Sequence, residues 1–347
     1  MNIAISSLYL PSGSKIGVGY SVHAFANALV GRGHRVTVFS QSGASDDSLY
    51  DVEVVPVGRR FRTFRFAWNL RRYDWSQFDV LHSHGDDWFL WGCQLPRHIH
   101  TFHCSCIAEM LHAKGFFAKL RMAALALCEL GVCFLPDELV AVSKNTRRYN
   151  PFAKQVIANG VDLDTFRVGL GKSEVPVVLF VGTMRGRKRG KMLLDIFQRE
   201  IKPAMPSAEF WAVCDEPIVG KGVQWYGRVT TQELADLYRR AWVFCLPSTY
   251  EGFGIPYIEA MASGTPVVAT PNAGALEVTE NGRYGIICNE GDLGSTLVQL
   301  LGDPGKRIQL CRVGLERACE FGWDRVCAEY EALYIKGSRL LKERVAR

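Results

Sequence analysis

Short β-branched and aromatic runs recur along this chain, separated by longer stretches of helical period. In the first half, Ile3–Ser7, Arg35–Ser40, Val52–Val57, Val80–Ser83, His98–Phe102 and Leu139–Val142 predict strands, and Tyr20–Arg32 and Ala118–Cys133 predict helices. Such alternation predicts a parallel sheet covered by helices on both faces. The segment from Phe166 to Pro176 mixes glycines and charges without a period and predicts a linker. A second series follows, with strands expected at Val177–Val181, Glu209–Val213, Gln224–Tyr226, Val243–Leu246, Pro266–Thr270 and Gly285–Cys288. Within it, Thr230-Thr-Gln-Glu233 reads as a capping box that opens a helix to Arg240. The expected fold class is therefore α/β, with two Rossmann-like doubly wound domains facing across a cleft. Their ligand would sit at the carboxyl ends of the strands.

The length of 347 residues supports two cores rather than one. Hydrophobic content of 48% and charged content of 22% describe a soluble globular protein. Eleven cysteines, scattered and often inside apolar runs, point to buried thiols in a reducing cytoplasm rather than a disulfide framework. Cys104 and Cys106 form a close pair, but no second pair completes a zinc site. The N-terminal Met1–Leu8 lacks a basic region and a long apolar core, so it reads as a first strand and not a signal peptide. Met122–Leu135 is the most apolar later segment, too short to span a bilayer and interrupted by Glu129. The net charge of +6 is compatible with nucleotide phosphates or an anionic membrane surface.

The densest chemistry lies between Ser248 and Thr270. Glu251 and Glu259 flank a turn containing Gly252 and Gly254, and Pro256 fits the first turn of the helix that follows. Amides at such a helix start make an anion site. A second cluster, Arg185, Arg187, Lys188 and Arg189, follows the strand Val177–Val181, where a diphosphate could be neutralised. A third, Gly17-Val-Gly19, follows the first strand and opens a helix; it is short of a dinucleotide fingerprint, so no nicotinamide cofactor is expected. His103 follows the strand His98–Phe102, and His82 and His84 close Val80–Ser83.

The string Glu251-Gly-Phe-Gly-Ile-Pro256 with Glu259-Ala-Met-Ala-Ser-Gly-Thr-Pro-Val-Val-Ala269 resembles the Glu-x7-Glu element of retaining family-four glycosyltransferases of the GT-B fold. That resemblance implies transfer of a sugar from a nucleoside diphosphate sugar to an acceptor hydroxyl, in glycan, glycolipid or polysaccharide biosynthesis, with no cofactor and no metal. It implies that Glu259 holds the ribose, that Glu251 contacts the donor sugar, and that the amides around Phe253, Gly254 and Ile255 bind sugar or phosphate. Gly17 and Gly19 resemble the family's glycine loop, and His103 the histidine that contacts the donor sugar. Lys188 matches the family lysine, so Glu251, His103 and Lys188 form the expected catalytic set. The chain departs from the family where Thr183 replaces an arginine and Arg189 a glycine; Arg185 or Arg187 would supply the missing charge. Gly227, Arg228 and Val229 resemble the segment bordering the base, and Asn159–Asp162 resembles the segment before the linker. In that architecture the last helix returns to the first domain, giving expected domains of 1–168 with 335–347, and 176–334.

Two rival readings use the same fold: a nucleotide-sugar epimerase, and a catalytically degenerate binding subunit. The arginines between Arg59 and Arg72 interleave with Phe61, Phe64, Phe66 and Trp68. Such mixing admits a peripheral contact at the inner face of a membrane, while the Phe61, Phe64, Trp68 spacing also fits a helix face turned to the core. No nucleic-acid partner is expected. The donor sugar, the base and the acceptor, lipid-linked or not, are not legible.

Overall fold

The computed structural model describes residues 1–12, 17–58, 60–112, 115–169 and 171–336. Arg59, residues 14–16 of the glycine segment and residues 337–347 of the expected C-terminal helix lie outside the described residues. The chain divides into two compact units, Met1–Gly160 together with the chain from Trp323, and Val161–Gly322.

In the first unit seven parallel strands run in the order β3-β2-β1-β4-β5-β6-β7. They are β1 (Asn2–Ser6), β2 (Arg35–Ser40), β3 (Asp51–Val54), β4 (Val80–Ser83), β5 (Arg97–Phe102), β6 (Glu138–Ala141) and β7 (Gln155–Val156). The helices are α1 (Gly17–Gly31), α2 (Arg62–Asn69), α3 (Cys106–His112), α4 (Phe116–Val132) and α5 (Lys144–Tyr149). Strand alternation sorts the core into two layers. Ile3, Ile5, Val38, Val80 and Ile99 pack beneath α1 and the C-terminal helix Trp323–Ile335. Ala4, Phe39 and Leu81 pack against Phe66 and Leu70, which α2 and the turn after it supply. Phe102, Leu139 and Ala141 pack against Val132 of α4. Because adjacent strand residues face opposite sides, α2 and α4 cover one face of the sheet and α1 the other. The buried residues of α2 are Phe66 and Ala67, whereas Phe61 and Trp68 are exposed, so the core face differs from the expected one. The reason is register: burial follows Phe66, Ala67 and Leu70 onto the sheet, and the more spaced aromatics fall outside it.

The second unit is a six-stranded parallel sheet in the order β10-β9-β8-β11-β12-β13. Its strands are β8 (Val177–Val181), β9 (Glu209–Val213), β10 (Val223–Trp225), β11 (Val243–Leu246), β12 (Val267–Ala269) and β13 (Ile286–Ile287). Its helices are α6 (Gly190–Ile196), α7 (Lys202–Ala204), α8 (Thr231–Arg240), α9 (Ile255–Ala262), α10 (Ala273–Val278), α11 (Leu293–Gly302) and α12 (Pro304–Ala318). The capping box at the start of α8 is present on both sides, Glu233 N–H donating to Thr230 Oγ1 and Thr230 N–H to Glu233 Oε2.

Both unit boundaries differ from those expected. The chain enters the second unit at Val161, because the segment expected to be a linker packs there. Phe166 is buried against Tyr238, Ser173 N–H donates to Arg240 O, and Lys172 Nζ donates to Gly264 O. The return comes at Trp323 rather than Ile335, because Val326, Cys327, Tyr330 and Tyr334 of the C-terminal helix all lie in the first core. All eleven cysteines are free thiols.

Candidate active site

Each sheet has the strand order that leaves a topological switch point at its centre, where loops from neighbouring strands part in opposite directions and ligands collect. In the second unit the switch lies between β8 and β11, which pair in register at Val178 and Val243. The loop after β8 carries the basic cluster, and the loop after β11 carries Glu251. The cations and the carboxylate are thus brought together by topology.

The two loops are bound to each other. Thr249 N–H donates to Arg187 O at 2.9 Å, and Arg187 Nη1 donates to Tyr250 O at 2.8 Å. Lys188 Nζ lies 3.0 Å from Glu251 Oε1, and Arg187 Nη1 lies 3.0 Å from Glu251 Oε2. Ser248 Oγ donates to Glu251 Oε1 at 2.7 Å. Burial by itself would raise the Glu251 carboxyl, but Lys188, Arg187 and the Ser248 hydroxyl outweigh it and hold it below its ordinary value. Burial lowers the Lys188 ammonium, against the attraction of Glu251. Glu259 lies in α9, where Tyr238 Oη of α8 donates to its Oε2 at 3.1 Å. Burial pushes the Glu259 carboxyl up to about 7, opposed by the Tyr238 hydrogen bond and by the Lys188 charge. Lys188 therefore stands in the field of both carboxylates.

Gly254 caps α9 with φ 106°, a left-handed conformation that costs a side-chain-bearing residue free energy, and Pro256 follows inside the first turn. Phe253 is buried and stacks edge-on to Phe321, and Ile255 opens the helix. Asn272, which caps α10, donates to Ser248 O at 3.1 Å and so holds the chain just before Glu251.

Other expected residues fall at the margin of this cluster. Thr183 Oγ1 donates to Arg185 O, and the exposed Arg185 lies 3.5 Å from Glu216 rather than beside Glu251. Arg189 pairs with Glu290. Gly227, with φ 62°, Arg228 and Val229 follow β10, and Arg228 lies 3.5 Å from Asp215. Of the two arginines considered for the missing charge, Arg187 is the one in the cluster.

In the first unit Gly17 and Gly19 lie inside the first turn of α1, not in a loop before it. His103 follows β5 and His84 follows β4; the strands pair, which sets His84 Nδ1 2.7 Å from His103 Nε2. Burial and the neighbouring His100 push His103 down to about 4, so the ring is neutral near pH 7. Beneath this pair, buried Asp87 accepts from His100 Nδ1 at 2.9 Å and lies 3.0 Å from His98 Nε2. His82 is fully buried, 2.7 Å from the Tyr334 hydroxyl and 2.8 Å from Thr101 Oγ1. It is a structural residue that ties the C-terminal helix to the sheet.

Tyr238 and Asp87 carry no sequence signal for these contacts, and His84 is marked in the sequence only as a strand-end histidine. Ser248 precedes Glu251 by three residues and stands within the Glu-Gly-Phe-Gly string's flank, which is a usable hint. The other three pair only through the fold.

Comparisons with known proteins bear on the family and the fold. The family described as glycosyltransferase family 4 matches residues 16–165, and the family described as glycosyl transferases group 1 matches residues 175–303. A D-inositol 3-phosphate glycosyltransferase of Xylanimonas cellulosilytica is 30% identical over 279 residues, 66% of this chain and 67% of its own. Curated relatives are matched over 49% to 74% of their length. Sucrose-phosphate synthase from Thermosynechococcus elongatus superimposes with a TM-score of 0.81 at 20% identity, over 96% of this chain and 98% of that one. Anabaena Alr3699/HepE, solved with UDP-glucose, gives a TM-score of 0.74 at 16% identity, over 96% and 99% of the two chains. With two parallel-sheet Rossmann-like units of the GT-B class and the Glu251–Glu259 element in the second, the chain belongs to the group 1 glycosyltransferases of family 4.

Proposed function

We propose that this protein transfers a sugar from a nucleoside diphosphate sugar to an acceptor hydroxyl, with retention of configuration and without a metal cofactor. The observation that carries the reading is the pairing of Lys188 and Arg187 with Glu251 at the switch point, beside the start of α9. A diphosphate needs about two charges neutralised, and these two cations match that need. A diphosphate at Lys188 and Arg187 competes with Glu251 for them, and the Glu251 oxygens then accept hydrogen bonds from the sugar hydroxyls. Glu259, when ionised, accepts from the ribose. As the glycosidic C–O bond breaks, its electron pair goes to the leaving diphosphate, whose charge the cations and the α9 amides stabilise. The acceptor oxygen attacks the same face, and its proton passes to the leaving phosphate. His103, neutral at pH 7, orients the sugar.

Support for a nucleotide sugar donor also comes from the fold shared with Anabaena HepE, which was solved with UDP-glucose. The acceptor belongs to glycan, glycolipid or polysaccharide assembly, and the protein makes a peripheral contact with an anionic membrane face.

A thermal-shift panel of nucleoside diphosphate sugars identifies the donor, since a ligand of the folded form raises the midpoint. Nucleotide release and sugar transfer with that donor then test the reaction. Transfer should persist in a metal chelator, be lost in Glu251→Ala, and yield a product with the donor's anomeric configuration by NMR coupling. An inverted product or full activity in Glu251→Ala overturns the mechanism. Formation of an epimer of the donor, or donor binding without any transfer, favours the rival readings.

A further inference from the structure

The two helical layers of the first unit differ in their outer surfaces. Beside α1, charges are paired: Arg32 bridges Glu331 and Asp324, and His34 lies 2.9 Å from Glu331. The α2–α4 layer is the opposite. Helix α4 turns Leu125, Ala126, Glu129 and Val132 toward the core. Its other side, which should be polar in a water-facing helix, carries Phe116, Phe117, Leu120 and Leu127, with Phe134 just beyond its end. Phe116 is 74% exposed and Phe117 84%. Phe116, Leu120 and Leu127, at i, i+4 and i+11, form one stripe. A helix apolar on both sides is ordinarily buried on both.

The exposed charges of α4 itself have one sign, while the neighbouring α3 exposes Glu109. Lys119 and Arg121 are exposed at its flanks, and the single carboxylate of α4, Glu129, is buried and accepts from Cys106 N–H at 2.9 Å. On the same face of the sheet, α2 exposes Phe61 and Trp68 with Arg62 and Arg65, and contains no carboxylate. Among the described residues none of these four cations forms an ion pair. No helix among them is long and apolar enough to cross a membrane.

We propose that the outer face of α4, continued by α2, is the surface by which this protein lies on an anionic lipid bilayer. The proposal rests on the peripheral membrane contact stated above and assigns it a surface. The helix, about 25 Å long, lies in the plane of the interface. Its phenylalanines and leucines enter the acyl boundary while Lys119, Arg121, Arg62 and Arg65 meet lipid phosphates. A second copy is the poorer occupant, because a two-fold contact through this face sets the same unpaired cations against each other.

Co-sedimentation of the full chain with vesicles of phosphatidylcholine alone, and of equal parts phosphatidylcholine and phosphatidylglycerol, tests this. Binding should require the anionic lipid and weaken with salt. It should fall about tenfold in Phe116→Ser/Phe117→Ser and in Lys119→Glu/Arg121→Glu, and be unchanged in the control Val219→Ser. Because the altered residues are exposed, thermal midpoints and donor-induced shifts should not move. Loss of binding only in Phe61→Ser/Trp68→Ser overturns the α4 assignment and leaves the peripheral contact standing. Absence of binding to either vesicle overturns both. Sedimentation velocity in which the α4 variants turn a dimer into a monomer gives the face to a second copy and overturns the lipid assignment.

Discussion

Lys188 and Glu251 form a buried ion pair, Nζ to Oε1 3.0 Å, between the loops that follow β8 and β11. The Lys188 side chain is 15% exposed and that of Glu251 7%, so neither charge is well solvated. Removing Glu251 strands the Lys188 ammonium, whereas removing Lys188 leaves Glu251 with Arg187 and Ser248. Glu251→Ala should therefore destabilise the second unit by about 3–5 kcal/mol, and Lys188→Ala by less, while abolishing measurable donor binding. The double change Lys188→Met/Glu251→Gln should recover most of the stability and none of the transfer, as chemical denaturation and a transfer assay can establish. Equal stability losses in the single and double variants would show that the pair does not act as a unit.

With the ribose role proposed for Glu259, donor affinity should depend on pH. The Glu259 folded-state value of about 7 lies above the ordinary carboxylate value of about 4.3. The folded form therefore binds this proton more tightly than the unfolded form. Its contribution to stability declines as pH rises from the unfolded value toward 7, and is level above that. Ribose binding needs the ionised form, so affinity for a nucleoside diphosphate sugar, whose diphosphate diester does not titrate here, should rise through about pH 7. Isothermal calorimetry on wild type and Glu259→Gln checks this: the variant should bind weakly and without that inflection.

The His84–His103 contact predicts a split between binding and turnover. His103→Ala should lower the transfer rate by about 10²-fold or more with little change in affinity for the bare nucleotide. His84→Ala removes the ring that holds His103 at 2.7 Å and packs on His82 and Phe25, but leaves His103 itself in place, so its loss in rate should be smaller. His84→Asn, which keeps a polar partner, should restore part of it. A His84 variant that loses nucleotide affinity instead would contradict a positioning role.

Gly274 lies in the first turn of α10, where an added Cβ would stand 2.5 Å from Phe253 O and 2.8 Å from Glu251 Cβ. These are backbone or loop atoms with no free rotation to escape. Gly274→Ala should displace the 251–253 loop, lower the thermal midpoint by several degrees and weaken donor binding. Gly291→Ala, which meets nothing within 4 Å, is the control.

Tyr334→Phe removes the hydroxyl 2.7 Å from His82 Nδ1 and leaves a fully buried ring nitrogen unpaired. A loss of about 1–3 kcal/mol is expected by denaturant unfolding. Transfer by the folded fraction should be unaffected.

Much of the fold was legible because it rests on local signals. Apolar runs five or six residues long marked β1, β2, β8 and β9, and the Thr230–Glu233 spacing marked the start of α8. The Glu251–Glu259 string was legible for the same reason, since a glycine turn, a proline and a helix are contiguous in the chain. Boundaries were less legible. Phe166 and Lys172 look like linker residues until Tyr238 and Gly264 are there to receive them, and the C-terminal helix declares its unit only through Tyr330 and Tyr334.

By itself the sequence determined the class of chain: two α/β halves, the glycine-bounded carboxylates of the second, and a basic loop after its first strand. Those features follow from propensity and periodicity, which act over a few residues. Only the tertiary structure decided which charge meets which. It chose Arg187 over Arg185 for Glu251, joined Tyr238 to Glu259, set His84 on His103, and tied His82 to a tyrosine 252 residues away. It also decided that one side of α4 is core and the other bare. Strand order and helix packing bring distant segments together, and burial then turns their separations into pKa shifts, ion pairs and exposed faces that no window of the sequence contains.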